Sequence, residues 1–381
     1  MPENRTTVII GPAHPLRGGL ASFNERLARA FREEGDRVVI YTFSLQYPGF
    51  LLPGTTQYSS EPAPRDIDIR VRINSVNPFS WIRVGLELKK IRPGLVVVRY
   101  WLPFMGPCLG TILRIVKGSR DTRVVCIADN IIPHEKRPGD TAFTRYFIRP
   151  VDGFVTMSRK VLADLRTFDR NKPAGFVPHP LYDNFGDPLP KADARISLGI
   201  PSDDRIILFF GFIRPYKGLD ILLRAMAEPE LYRSGIRLLI AGEFYDDSKP
   251  YLELIRALKL EDKVILRTEF IPDSQVRYYL CAADLVVQPY RNATQSGVTP
   301  LAYHFGKPMV VTRVGALPDM VPEGKVGLVC APEPASLAAT ILRYFEMKEQ
   351  VFIDGIREEK KQYTWQRLVQ TIRSIAHDIQ K

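Results

Sequence analysis

The sequence predicts an α/β protein built from two doubly wound domains, each around a mostly parallel sheet. Three observations predict it. A chain of 381 residues is too long for one ordinary core and suits two domains of roughly 150–200 residues each. Short apolar, β-branched runs alternate with helix-period segments from end to end, the pattern of parallel strands buried on both faces. Near the middle, residues 177–188 (Val-Pro-His-Pro-Leu-Tyr-Asp-Asn-Phe-Gly-Asp-Pro) are too rich in proline and glycine for a regular element and read as a linker.

In the first half the strand candidates are 7–11, 37–42, 94–100, 123–128 and 152–157. Between the first two, Phe23, Leu27, Ala30 and Phe31 recur at i, i+4, i+7 and i+8, one face of a helix. In the second half the candidates are 205–211, 236–241, 263–268, 284–289, 308–312 and 326–330. The expected domains are therefore 1–180 and 181–362, with 363–381 as a C-terminal helix free to pack back on the first domain. There is no short-period repeat and no low-complexity tract.

Apolar residues make up 45% of the chain, enough to bury both cores. The four cysteines, Cys108, Cys126, Cys281 and Cys330, show no C-x-x-C spacing and read as reduced thiols of a cytosolic protein. The opening residues pass almost directly into a strand without the charged and apolar regions of a signal peptide, so a secreted protein is not expected. The uncharged stretch Tyr100 to Leu113 falls short of the ~20 apolar residues of a membrane-spanning helix.

Charge is lopsided. Residues 1–180 hold 27 Lys+Arg against 16 Asp+Glu, while the remainder holds 26 of each. Such asymmetry points to a polyanionic partner for the first half, either nucleic acid or an anionic membrane. Nucleic acid is not expected, because no RNP-type, helix-turn-helix or zinc signature is present. The aromatic segments Tyr47–Pro53 and Tyr100–Met105, with Arg70, Arg72, Arg83, Lys89, Lys90 and Arg92 nearby in sequence, fit contact with anionic lipid. Taken singly, Phe50 and Trp101 read as core; the basic half as a whole reads as a membrane face.

Residues 208–220, Leu-Phe-Phe-Gly-Phe-Ile-Arg-Pro-Tyr-Lys-Gly-Leu-Asp, run a strand into a glycine turn carrying Arg214 and Lys217. A planar guanidinium can grip two phosphate oxygens while an ammonium adds a point charge, a pair suited to a diphosphate. Farther on, Gln295, Ser296, Gly297 and Val298 open a helix whose first N–H groups lack partners and suit the same anion. In the first half, Gly18 and Gly19 let backbone approach a ligand at a helix start, although the G-x-G-x-x-G spacing is absent. Residues 126–140 place Asp129, His134 and two cations after a strand end, where such sheets carry function. No histidine or carboxylate spacing supports a metal, and Asp66-Ile67-Asp68 lies in an irregular, arginine-flanked stretch.

The stretch Gly211–Asp220 together with 295–321 resembles the donor-binding half of family-4 retaining glycosyltransferases, and the resemblance extends weakly over nearly the whole chain. It implies a GT-B fold, two facing Rossmann-like domains with an interdomain cleft. It assigns the donor diphosphate to Arg214 and Lys217, and it brings Gly18 and Gly19 to the donor phosphates and the acceptor. Phe270 and Ile271 match the place where the family holds the nucleotide base, and Gly242-Glu243, also taken as donor-binding, end the strand before. Many members carry a histidine near the fourth strand that touches the donor sugar; here Asp129 takes that position and His134 follows. The family's Glu, seven residues, Glu pattern is replaced by Ala293 and Leu301.

What the resemblance implies is retaining, metal-independent transfer of a hexose from a nucleotide-diphosphate sugar to a lipid-linked or polysaccharide acceptor in cell-surface glycan synthesis. The catalytic set is then Arg214, Lys217, Asp129 and His134, with no cofactor, on the inner face of the plasma membrane. The alternative is a catalytically silent GT-B subunit or glycolipid-binding partner protein, suggested by Ala293 and Leu301.

Overall fold

Apolar runs with no polar alternation form the centres of two parallel sheets. The structure is a computed structural model that describes residues 6–49, 56–118, 121–133, 137–293 and 296–378. It comprises two units, one of Met1–His179 joined by Thr364–Lys381, the other of Pro180–Tyr363.

The first unit holds seven strands, β1 (Thr6–Ile10), β2 (Arg37–Leu45), β3 (Asp68–Asn74), β4 (Leu95–Tyr100), β5 (Arg123–Ala128), β6 (Gly153–Thr156) and β7 (Ala174–Phe176). Their order is β3-β2-β1-β4-β5-β6-β7, every pair parallel. Val8, Val96, Val98, Val124 and Cys126 are fully buried at its centre, as expected of strands covered on both faces.

Helix α1 (Gly19–Glu33) buries Phe23, Leu27, Ala30 and Phe31. Helix α2 (Pro78–Ile91) starts at Asn77, whose Oδ1 accepts the Phe79 N–H at 3.0 Å, a side-chain cap of an otherwise orphaned donor. It packs on α3 (Gly106–Val116). The closing helix Trp365–Asp378 lies against α1, β5, β6 and β7 and buries Trp365, Leu368, Val369, Ile372 and Ile375. Its Arg373 reaches Glu34 and Asp36, each at 2.9 Å.

Three expectations are corrected here. The stretch after Asp66 is not irregular: β3 begins at Asp68, an edge strand whose alternating arginines hide its pattern. The three-residue edge strand β7 carries too few residues to register as a run. The segment Tyr100–Met105 is no membrane loop, since Tyr100 and Met105 are fully buried and Trp101 is 9% exposed. Its indole N–H donates to Tyr47 Oη at 2.7 Å, and its ring stands edge-on to Phe43. Phe50 to Pro53 lie outside the described residues.

The second unit holds β8 (Arg205–Phe210), β9 (Ile236–Ala241), β10 (Val264–Arg267), β11 (Leu285–Gln288), β12 (Met309–Thr312) and β13 (Gly327–Cys330). Their order, β10-β9-β8-β11-β12-β13, is that of a dinucleotide-binding sheet and reverses between β8 and β11, the switch point where such sheets bind ligands. Lys217-Gly218 turns the chain from the end of β8 into the helix Leu219–Met226.

Gly218 (φ +68°) and Gly199 (φ +66°) both occupy the left-handed region. A Cβ at Gly199 would meet nothing within 4 Å, whereas one at Gly218 would collide with the backbone carbonyl of Pro289. Gly199→Ala should cost about 1–2 kcal/mol, the left-handed penalty alone. Gly218→Ala should cost clearly more, because backbone must move at the switch point. Denaturant unfolding of the two variants checks this; equal losses would contradict the close approach.

Candidate functional site

Each candidate donor residue in the second unit sits at or beyond the carboxyl end of a strand. Gly211 follows β8 and donates its N–H to Ala241 O at 2.9 Å; Gly242 follows β9 and donates to Arg267 O at 2.9 Å. A Cβ at Gly242 would strike the Gly211 carbonyl, so the two loops meet backbone to backbone at positions of φ +88° and +137°. Ile213 and Phe244 then extend the pairing as a parallel bridge. That clamp fixes the turn carrying Arg214 and Lys217.

Lys217 is 9% exposed. Among the described residues its ammonium makes no ion pair or hydrogen bond; its neighbours are the Tyr290 ring, centred 5.8 Å from Nζ, and Arg214. Burial, then the adjacent Arg214 charge, pull its ammonium down to about 7. Tyr290 offers no compensating anion, since burial pushes its phenol upward and keeps it neutral. A buried cation without a counter-ion is costly, and an anion arriving from outside would offset that cost.

Arg214 is half-buried, stacks at 3.4 Å over the Tyr245 ring and hydrogen-bonds the Tyr216 phenol. Stacking fixes the guanidinium plane and leaves its edge N–H groups for an acceptor. A Cβ at Gly211 would stand 3.2 Å from Lys217 Nζ and 3.8 Å from Val298 Cγ2. Lys217 and Val298 therefore converge over Gly211, about 80 residues of chain folded into one spot by the pairing of β8 with β11.

Ser296 is 3% exposed, and its hydroxyl is used internally. It donates to Gln288 Oε1 at 2.6 Å and accepts the Val298 N–H at 3.2 Å, while Thr299 bonds the same Gln288. Ser296 thus shapes the segment rather than presenting a side chain. Gly297 faces the Tyr182 ring, 3.9 Å from where its Cβ would be. Gln295 lies outside the described residues. Ala293 and Leu301 are buried at 2% and 6% exposure. Phe270 is half-buried with its ring 6.3 Å from that of Phe212, and Ile271 is 7% exposed.

In the first unit Gly18 (φ +99°) caps α1, its carbonyl accepting from Ala21 N at 2.9 Å and Ser22 N at 3.2 Å, and Gly19 is the first helical residue. Asp129, 3% exposed, is held by both oxygens: Arg99 Nε donates at 2.6 Å and Nη2 at 2.7 Å. The Arg99 guanidinium also lies 3.8 Å over the Phe23 ring, which packs against Trp365. Arg99 had not been singled out, although a charge at the end of a buried strand signals a buried partner. His134 lies outside the described residues.

A polar hollow lined by Arg195, Asp204, Arg205, Asp284 and Tyr344 lies at the opposite, amino ends of β8 and β11. Its buried Arg195 is paired with Asp284 at 2.9 Å, and Asp284 also accepts from Lys191 at 2.5 Å, so its buried cation, unlike Lys217, has a counter-ion. Among the described residues no three His, Cys, Asp or Glu side chains stand together as a metal site.

Two outcomes follow. If Lys217 meets a phosphate, only its protonated form binds well, and binding draws a proton in. Nucleoside-diphosphate affinity should fall as pH rises above 7, by up to roughly tenfold per unit, and the fall should vanish in Lys217→Met. A pH titration by calorimetry checks this; a flat wild-type profile from neutral to alkaline pH would contradict it. Asp129→Ala should lose about 3–5 kcal/mol of stability by stranding the buried Arg99 charge. If it instead keeps the wild-type melting temperature, the pair does not hold the first unit together.

Residues 204–347 match the family Glycosyl transferases group 1. A D-inositol 3-phosphate glycosyltransferase of Acidothermus cellulolyticus is 32% identical over 202 residues, 50% of this chain and 45% of that protein. The chain thus spans just under half the length of the curated relatives it matches. Anabaena HepE in complex with UDP-glucose superposes with a TM-score of 0.73 at 16% identity, over 98% of this chain and 99% of that one. WaaG, a glycosyltransferase involved in lipopolysaccharide biosynthesis, gives 0.68 at 17% identity over 98% and 99%. With two parallel α/β units and these structural neighbours, the chain has the GT-B fold, and its second unit carries the match to the group 1 glycosyl transferases.

Proposed function

We propose that this protein is a family-4 retaining glycosyltransferase that moves a hexose from a nucleotide-diphosphate sugar to a lipid-linked or polysaccharide acceptor. One observation carries the reading: a buried ammonium, Lys217, with no counter-ion among the described residues, beside a stacked Arg214 at the switch point of the second sheet. The UDP-glucose bound by HepE and the lipopolysaccharide role of WaaG support a nucleotide-sugar donor and a glycolipid acceptor for this reading.

In the proposed reaction the acceptor oxygen bonds to the anomeric carbon on the face from which the diphosphate departs. The bond from that carbon to the diphosphate oxygen breaks, and the acceptor proton passes to the leaving phosphate. No protein nucleophile is required. Arg214 and Lys217 stabilise the charge that develops on the diphosphate, electrostatic assistance that is often the largest single contribution to rate. Side-chain cations do here what a divalent ion does elsewhere, so chelator should leave the rate unchanged; complete loss on chelation with rescue by a divalent ion would contradict this.

A second reading is a silent subunit that binds donor or glycolipid without turnover. It rests on Ala293 and Leu301, apolar and buried where the family places two acids. The two readings part in one experiment with nucleotide sugars and extracted glycolipid acceptors. The transferase reading expects a product that keeps the donor's anomeric configuration by NMR. Arg214→Ala and Lys217→Ala should each weaken nucleoside-diphosphate binding by about 1.5–3 kcal/mol, the loss of a charge-assisted hydrogen bond, while sparing the nucleoside. Diphosphate binding without turnover on a broad donor panel favours the silent subunit; full diphosphate affinity in both variants places the donor elsewhere.

Among the described residues no helix is long and apolar enough to cross a membrane. We place the protein peripherally on an anionic membrane surface, reached through the basic first unit.

A further inference from the structure

Helix α2 has two faces of opposite fate. Val84, Gly85 and Leu88 are buried, and a Cβ at Gly85 would stand 2.7 Å from the Ile115 Cβ on α3. On the other side Phe79, Ile82 and Leu86 are 81%, 45% and 55% exposed. Their spacing, i, i+3 and i+7, sets them in one row. Val76, just before the helix, and Val71 on edge strand β3 are exposed as well. A single exposed apolar residue needs no explanation, but a contiguous row marks an interaction site.

The charges around that row are of one sign. Between Asp68 and Arg92 the only acids are Asp68 and Glu87, and both are engaged by Arg70, at 3.3 and 3.2 Å, with Glu87 also accepting from Tyr41 Oη. Arg72, Arg83, Lys89, Lys90 and Arg92 are exposed, and among the described residues their side chains make no ion pair or hydrogen bond. Along the helix, Phe79, Arg83, Leu86 and Lys90 follow one another at i, i+4, i+7 and i+11, so cations alternate with apolar side chains within one strip. A site for an apolar protein partner would keep its charges to a rim.

We propose that α2 is the element by which the first unit docks on an anionic lipid surface. Phe79, Ile82 and Leu86 enter the boundary between headgroups and acyl chains, and Arg83, Lys89, Lys90, Arg72 and Arg92 reach the lipid phosphates. Long basic side chains lie along apolar surface with their charges in the headgroup layer, which the alternating strip requires. A second copy of this chain is a poorer occupant, because a two-fold contact sets the same patch against itself and would oppose uncompensated cations. The inference deepens the reading of a membrane-borne acceptor and rests on it for its purpose. Its content rests on α2 alone.

The test is co-sedimentation of the full chain with vesicles of phosphatidylcholine, with or without phosphatidylglycerol. Wild type should sediment with the anionic vesicles, release at high salt, and ignore the neutral ones. The triple variants Phe79→Ser/Ile82→Ser/Leu86→Ser and Arg83→Glu/Lys89→Glu/Lys90→Glu alter only exposed positions and should each bind at least about tenfold more weakly. Phe79→Trp should show a blue-shifted emission, by difference from wild type, when anionic vesicles are added. The proposal is overturned by vesicle binding that neither triple variant changes, by an unshifted Trp at position 79, by no wild-type binding, or by an α2-dependent dimer that ignores vesicles. Titration of the same variants with a soluble nucleoside diphosphate separates the two readings. Intact diphosphate binding with lost vesicle binding assigns the change to α2 alone, whereas absent diphosphate binding in wild type counts against the donor site and leaves the vesicle result standing.

Discussion

An ammonium removed from water, with no carboxylate beside it among the described residues, is the constraint around which the second unit is arranged. Lys217 is buried next to a second cation, and the nearest ring belongs to a tyrosine that stays neutral. Folding gains nothing from such a group, because desolvation and like-charge repulsion both act against it. The rest of the sheet must hold it there. Gly211 and Gly242 bring the β8 and β9 loops to backbone contact, Gly218 presses the turn on the Pro289 carbonyl, and the β8–β11 pairing brings Val298 overhead. A destabilising arrangement enforced by several independent contacts is what a site needs when its ligand supplies the missing charge.

The first unit holds its buried charge in the opposite way. Arg99 and Asp129 also sit at strand ends, but they pair bidentately and the guanidinium rests on Phe23, leaving Arg99 Nη1 without a hydrogen-bond partner among the described residues. A pair closed in this manner holds β4 to β5 and contributes little free charge to a ligand. The unmet charge of this unit lies outside, on α2 and β3, where five cations surround an exposed apolar row. Among the described residues, one unit keeps its unmet charge inside and the other displays it on the surface.

Much of the fold was legible because buried parallel strands write themselves as apolar runs. β8, Arg-Ile-Ile-Leu-Phe-Phe, and β4, Leu-Val-Val-Val-Arg-Tyr, admit no other reading at that length. β3 and β7 were not legible, since an edge strand tolerates arginines on its open side and three residues make no pattern. At the site, Arg214 and Lys217 could be read from cations on a glycine turn after a strand. The stacking partner Tyr245, the Gln288–Ser296–Thr299 network and the Arg99 partner of Asp129 could not, because each joins residues that meet only through strand order. The aromatics of 100–105 misled for a related reason: aromatic residues in a basic domain suit a membrane or a core equally, and only burial separates Trp101 from Phe79.

The most direct test of the central claim is an experimental structure of this chain with a nucleoside diphosphate bound. The account predicts phosphate oxygens within hydrogen-bond distance of both the Lys217 ammonium and the Arg214 guanidinium, over Gly211 at the carboxyl ends of β8 and β11. A diphosphate bound elsewhere, with Lys217 still unpaired, would contradict it.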